Sequence, residues 1–191
     1  MRKILVGLLA VAFIGFTGFG VALWTSHAEE AGGEEAAIAD DAGGGDCCKK
    51  GDTTPPLELT KNTPKGGLHN PYNDDATTVT EARQKAYLKP GCNGCHGGGG
   101  GGGMCPPLTN DTWIYGGDDD TLFRLIAEGT DELKKQGYKR LRSEVVVGPM
   151  PPFGAIIKTS DDLWQVIAFI RSKNPGSMKL VDKPYVPPQK F

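Results

Sequence analysis

Cys92-Asn93-Gly94-Cys95-His96 sets two thiols three residues apart and places an imidazole directly after the second. That pattern suits covalent attachment of a c-type haem, in which each thiol forms a thioether and the histidine ligates the iron. A zinc site would need two further ligands at a suitable spacing. Cys47, Cys48, Cys105, His27 and His69 form neither a second C-x-x-C nor an H-x-x-x-H. A thioredoxin-like redox pair would need a preceding strand in a βαβ context, and the flanking residues supply neither. His69 is the other histidine to weigh as an axial ligand, but its place before Asn70-Pro71 fits a surface or capping role better.

A ligand for the other axial position comes from Gly148-Pro149-Met150-Pro151-Pro152-Phe153-Gly154. A thioether on a proline-stiffened loop approaches a metal without helical constraint, and methionine opposite histidine raises a haem's reduction potential. Met104 follows the glycine loop too closely to cross easily to the opposite face, and Met178 lies beyond the last predicted helix. The predicted metal ligands are therefore His96 and Met150. Between them, seven glycines from Gly97 to Gly103 must form a loop, because each loses much backbone entropy on ordering. The loop is either a flexible connector or a place where a partner's surface approaches the haem. After it, Pro106 is placed to offer its carbonyl to the His96 ring N–H, and Leu108 to pack on the haem.

Helices must hold these loops. Thr80 reads as the N-cap of a helix over Glu81–Leu88, with Ala82, Ala86 and Tyr87 near one face and Pro90-Gly91 ending it. A second helix is predicted over Thr121–Glu128, with Leu122, Leu125 and Ile126 inward and Gly129 closing it. Asp118, Asp119 and Asp120 precede it and read as capping and solubilising residues, since no D-x-D-x-D-G calcium loop is present. Ser160-Asp161-Asp162 caps a last helix, Leu163–Lys173, that should pack on the first and stop at Asn174-Pro175-Gly176. Lys134, Lys135, Lys139, Arg140 and Arg142 form a basic patch, either a solvated face or a dock for an acidic redox partner.

The chain has 191 residues, of which 28 are glycine and 14 proline, so one all-α domain with extensions fits better than two domains. Residues 1–28 read as a signal peptide ending at Ser26-His27-Ala28, or as an uncleaved membrane anchor. Either places the rest outside the cytoplasm, in a periplasmic setting. Residues 29–66 read as a disordered acidic linker, 67–178 as the folded domain and 179–191 as a proline-rich tail. The linker holds nine acids and four lysines, whereas residues 67–191 hold fourteen acids and fifteen bases. A nearly neutral folded part argues against nucleic-acid binding. Cys47, Cys48 and Cys105 are left outside the haem motif with their pairing open.

Taken in order, the Glu81–Leu88 helix, Cys92-Asn93-Gly94-Cys95-His96, Pro106 to Leu108, Met150 and the terminal aromatic helix resemble class I cytochromes c over residues 69–174. Asn70-Pro71-Tyr72-Asn73, the glycine run ending at Met104, Leu108-Thr109-Asn110-Asp111-Thr112-Trp113 and Gly148 to Gly154 are similar to the cytochrome c-L type. Cys105 departs from that family, where glycine usually precedes the proline. The resemblance implies helices packed around one covalent haem c held by Cys92, Cys95, His96 and Met150, with Pro106 and Leu108 beside it. It further implies a non-enzymatic electron carrier. The donor would be a quinoprotein (PQQ-dependent) methanol or alcohol dehydrogenase, and the acceptor a downstream cytochrome c or oxidase. Two other expectations compete with it: a membrane-tethered cytochrome subunit of an oxidase or dehydrogenase complex, and a small haem peroxidase.

Overall fold

The structure, a computed structural model, describes residues 48–181 and residue 183. The leader, linker residues 29–47 and the end of the tail lie outside the described residues. Within them, the regular elements are helical: α1 (Pro56–Asn62), α2 (Glu81–Leu88), α3 (Cys92–His96), α4 (Asp119–Lys135) and α5 (Ser160–Lys173). Short 3-10 turns occupy Asn73–Asp75 and Pro175–Leu180.

The core is built around α5. Leu163, Trp164, Val166, Ile167, Ala168, Phe169 and Ile170 are all buried, so this helix is apolar around most of its girth and must be enclosed. Helix α2 closes one side, with Tyr87 stacked on Phe169 at 4.5 Å between ring centroids. Helix α4 closes another, with Phe123 tilted against Trp164 at 4.3 Å. Such ring pairs add about 0.5–1.5 kcal/mol beyond their area burial. On α2 the second buried residue is Arg83 and not Ala82, which is exposed. The Arg83 guanidinium donates to Asp75 O and Thr78 O and pairs with the Asp75 carboxylate, all at 2.6 Å.

Local chemistry sets the helix ends. The Thr80 hydroxyl accepts from Arg83 N at 3.2 Å, as an N-cap should. At α5 the cap is Thr159, which accepts from Asp162 N at 3.1 Å. Ser160, assigned to the cap from sequence, lies inside the first turn and donates from both its N–H and its hydroxyl to Thr54 O. Helix α4 starts two residues earlier than predicted, because Asp118 is its cap and accepts from Thr121 N at 2.9 Å. Gly129 is a kink and not an end: its φ of 80° breaks the helix, which then resumes to Lys135.

Three further sequence readings need correcting. The linker expected to run to residue 66 is ordered from Cys48. Pro56 presets the first turn of α1, Leu59 and Thr60 are buried, and the segment packs on α4 and α5. Its anchor is Arg124 of α4, which donates to Thr60 O at 2.8 Å, Thr63 O at 2.7 Å and Pro64 O at 3.1 Å. The three aspartates also do no solubilising, as each is at most 4 % exposed. Asp119 accepts from Asn70 N and Asn73 Nδ2 and pairs with Arg171 at 2.8 Å. Asp120 pairs with Arg124 at 2.9 Å and accepts from the Tyr138 hydroxyl. At the other end, the Pro175–Leu180 turn runs past residue 178, where the folded domain was expected to end.

Candidate haem-binding site

Helix α3 is a single turn between two glycines in positive-φ backbone, Gly91 at 91° and Gly97 at 77°. One turn puts Cys92, Cys95 and His96 at positions i, i+3 and i+4, hence on one face. Cys92 is buried, and Cys95 and His96 are half-buried. Burial pushes the Cys92 thiol up to about 11, so it is a neutral thiol at pH 7. The Tyr87 hydroxyl donates to Gly97 O at 2.7 Å and ties the turn to α2. Burial, and then the neighbouring cysteines, push Tyr87 up to about 12.

His96 Nδ1 donates to Pro106 O at 2.8 Å. That bond fixes the ring's tautomer and leaves Nε2 as the nitrogen able to bind a metal. Pro106 returns to His96 because the glycine run closes on itself. Gly100 N donates to Gly97 O, Gly102 N to His96 O, and Leu108 N to Gly100 O, at 3.0, 2.9 and 2.7 Å. Two of these glycines cannot carry a side chain: a Cβ on Gly97 would lie 2.7 Å from Gly102 O, and one on Gly103 would lie 2.9 Å from Cys95 O. Gly98, Gly99 and Gly101 face open space. The run is therefore a tight turn about the histidine, with three positions left bare.

Met150 is held by α4. Thr130 N donates to Met150 O at 2.9 Å, and Met150 N donates to Thr130 Oγ1 at 3.0 Å. Phe153 N and Gly154 N donate to Ile126 O and Ala127 O, both at 2.9 Å, using carbonyls that the Gly129 kink frees from the helix ladder. A Cβ on Gly129 would meet Pro152 N at 2.8 Å and Met150 O at 2.9 Å, so the loop lies directly against the kink. Sequence reasoning missed both Gly129 and Thr130 as parts of the site. The available signal was a glycine followed by a β-branched hydroxyl inside an otherwise continuous helical pattern.

All six residues singled out from sequence, Cys92, Cys95, His96, Pro106, Leu108 and Met150, border one cavity of about 590 Å³. That lies within the range of roughly 300–1,000 Å³ usual for small-molecule and cofactor sites. Tyr87, Trp113, Leu122, Ile126, Phe153, Val166 and Ile170 make its wall largely apolar. Among the described residues, the buried Trp113 Nε1–H has no hydrogen-bond partner. The Trp113 ring borders the cavity, with this nitrogen closed off from solvent. A haem fits these walls: an apolar macrocycle for the lining, two thiols at one edge, and imidazole and thioether donors for its iron.

No curated protein and no solved structure matches the chain. Residues 81–174 match the family model of cytochrome c. The match runs from the first residue of α2 to the residue after α5 and takes in every residue that borders the cavity. The chain thus carries a helical cytochrome c domain of class I type, and its cofactor is covalently bound haem c.

Proposed function

We propose that this electron carrier is an exported monohaem cytochrome that takes single electrons from a PQQ-dependent methanol or alcohol dehydrogenase. It passes them to a downstream cytochrome c or an oxidase. The observation that carries the reading is the convergence of the His96 turn and the Met150 loop on one cavity. The bound haem supplies one-electron chemistry, and the chain's residues decide what else it does. His96, fixed through Pro106, and Met150, fixed through Thr130, would hold the haem iron, and with both in place the site would favour one-electron transfer over oxygen or peroxide chemistry. This sets electron transfer above catalysis.

The cavity's mouth supports a docking role. Met104 is 62 % exposed and Val147 75 % exposed, and both border the cavity, as do the bases Lys134 and Arg140. Exposed apolar contact beside two bases, with Asp131 on the same border and paired to Lys134 at 3.9 Å, suits a transient encounter with a redox partner that carries some acidic charge. The choice of a quinoprotein as donor rests on the cytochrome c-L-like words around Asn70, Leu108 and Met150.

The test is stopped-flow mixing of the oxidised holoprotein with reduced PQQ dehydrogenases at low ionic strength. Second-order reduction that slows with added salt is expected. Reduction by none of them overturns the donor assignment. Carbon monoxide at neutral pH should leave the reduced spectrum unchanged, and a shifted spectrum overturns ligation by Met150.

A further inference from the structure

We infer that Leu57, on the strap that precedes the cytochrome c domain, is a positioning residue for the proposed iron ligand Met150, acting by pinning Gly154 at the end of the ligand loop against α4. The inference rests on ligation by Met150 and is independent of which protein donates electrons.

The ligand loop is sheltered at few points. From Gly148 to Ile156, Met150 and Phe153 are half-buried, Gly154 is buried and every other residue is exposed. Gly154 is enclosed from two sides: an added Cβ would lie 2.8 Å from Ala127 O of α4 and 2.7 Å from Leu57 Cγ of α1. Its N–H donates to that same Ala127 O at 2.9 Å. Leu57 thus lies beside the point where the loop is bonded to α4 and shields the bond from water, and shielded backbone bonds open less readily than solvated ones.

Leu57 is itself held from both sides along the chain. Ahead of it, Thr54 O accepts from Ser160 N at 2.8 Å and from the Ser160 hydroxyl at 2.7 Å, and Gly51 N donates to Asp161 Oδ1 at 2.7 Å, which fastens the strap to α5. After it, Arg124 of α4 takes the carbonyls of Thr60, Thr63 and Pro64. Anchored to two helices, the strap holds Leu57 at a fixed place against the loop.

The prolines carry that constraint to Met150. Pro151 and Pro152, their φ angles set by their rings, join Met150 to Phe153 and Gly154 as a stiff piece. At the other end Gly148 is exposed, and a Cβ there would meet nothing within 4 Å, so that end is loosely packed. A stiff segment with one loose end is governed by its fixed end. Thr130 holds the Met150 backbone from the α4 side, and Leu57 closes the side that faces the strap. Truncating Leu57 admits water to the Gly154–Ala127 bond and frees the segment to swing about Gly148, carrying the Met150 thioether out of the cavity.

The test compares the full-length holoprotein with its Leu57→Ala variant. In the ferric state, the methionine-to-iron charge-transfer band and the far-UV circular dichroism are followed through one thermal ramp. The band should disappear before the helix signal in the variant, with the interval between the two midpoints several degrees wider than in the parent. Held within that interval, the reduced variant should bind carbon monoxide. Leu57→Met, which conserves volume, should return both readouts to those of the parent. Band and helix signals that shift together, with no wider interval, overturn the inference, because Leu57 then contributes only to overall stability. Leu57→Val provides the same readout if the alanine variant does not fold. A parent without the charge-transfer band overturns ligation by Met150 and this inference with it, whereas a parent with the band and an unwidened interval in the variant overturns this inference alone.

Discussion

Thr130 grips Met150 with two hydrogen bonds, its N–H donating to Met150 O and its hydroxyl accepting from Met150 N. Both bonds are made by a residue only 6 % exposed, next to a glycine whose φ of 80° turns it toward the loop. The position of Met150, the proposed iron ligand, is thus held by a helix kink some twenty residues upstream.

Thr130→Val removes the acceptor and leaves Met150 N unpaired, at a cost of about 1–3 kcal/mol. The ferric holoprotein should lose its methionine-to-iron charge-transfer band at a lower temperature than the parent, while Thr130→Ser should restore it. A valine variant with unchanged band and unfolding curve would show that the loop holds itself.

The glycine run divides into two classes. Alanine at Gly97, where φ is 77° and a Cβ would lie 2.7 Å from Gly102 O, should cost about 1–3 kcal/mol by denaturant titration. Alanine at Gly98, Gly99 or Gly101, which face open space, should stay within about 0.5 kcal/mol of the parent. If a partner does approach this loop, bulky residues at those three positions will slow electron uptake and leave the haem spectrum unaltered. Equal losses at Gly97 and Gly99 would contradict the internal-turn account.

Arg171 is fully buried and joins α5 to Asp119 at the start of α4. Arg171→Met leaves the Asp119 charge with only its amide donors from Asn70 and Asn73, and should destabilise by about 3–5 kcal/mol. Adding Asp119→Asn should recover part of that loss, since it removes the uncompensated charge. Strict additivity of the two changes in a double-mutant cycle would mean the pair is not coupled.

Asp118 is held above the ordinary carboxylate range, chiefly by burial, with its bonds to Thr121 pulling the other way. The folded state therefore binds this proton more tightly than the unfolded one. The cost of the charge is fully present above the folded value and is relieved as pH falls through it toward about 3.9. Asp118→Asn keeps an oxygen to cap Thr121 N and carries no charge. Its stability relative to the parent should be greatest near neutrality and should shrink as the solution is acidified. A difference independent of pH, in paired thermal melts, would remove Asp118 as the source.

The haem chemistry was legible in the sequence because it is local. Cys92, Cys95 and His96 sit within one turn, Pro106 lies one loop away, and the prolines around Met150 mark a ligand loop by composition. Helices α2 and α5 were legible for the same reason, since capping residues and apolar spacing act within a few residues. Tertiary structure alone decided what depends on partners distant in the chain. It turned a polar segment before residue 66 into an ordered strap, because Arg124 satisfies three of its carbonyls. It converted Asp118 to Asp120 from surface charge into a buried network, because Arg171 arrives from α5 to neutralise Asp119 while the packed helix buries Asp120 with Arg124, four residues further along α4. It also placed Thr130 on Met150 and Cys105 on Cys95, contacts that periodicity does not encode because kinks and returning loops, not helical spacing, make them.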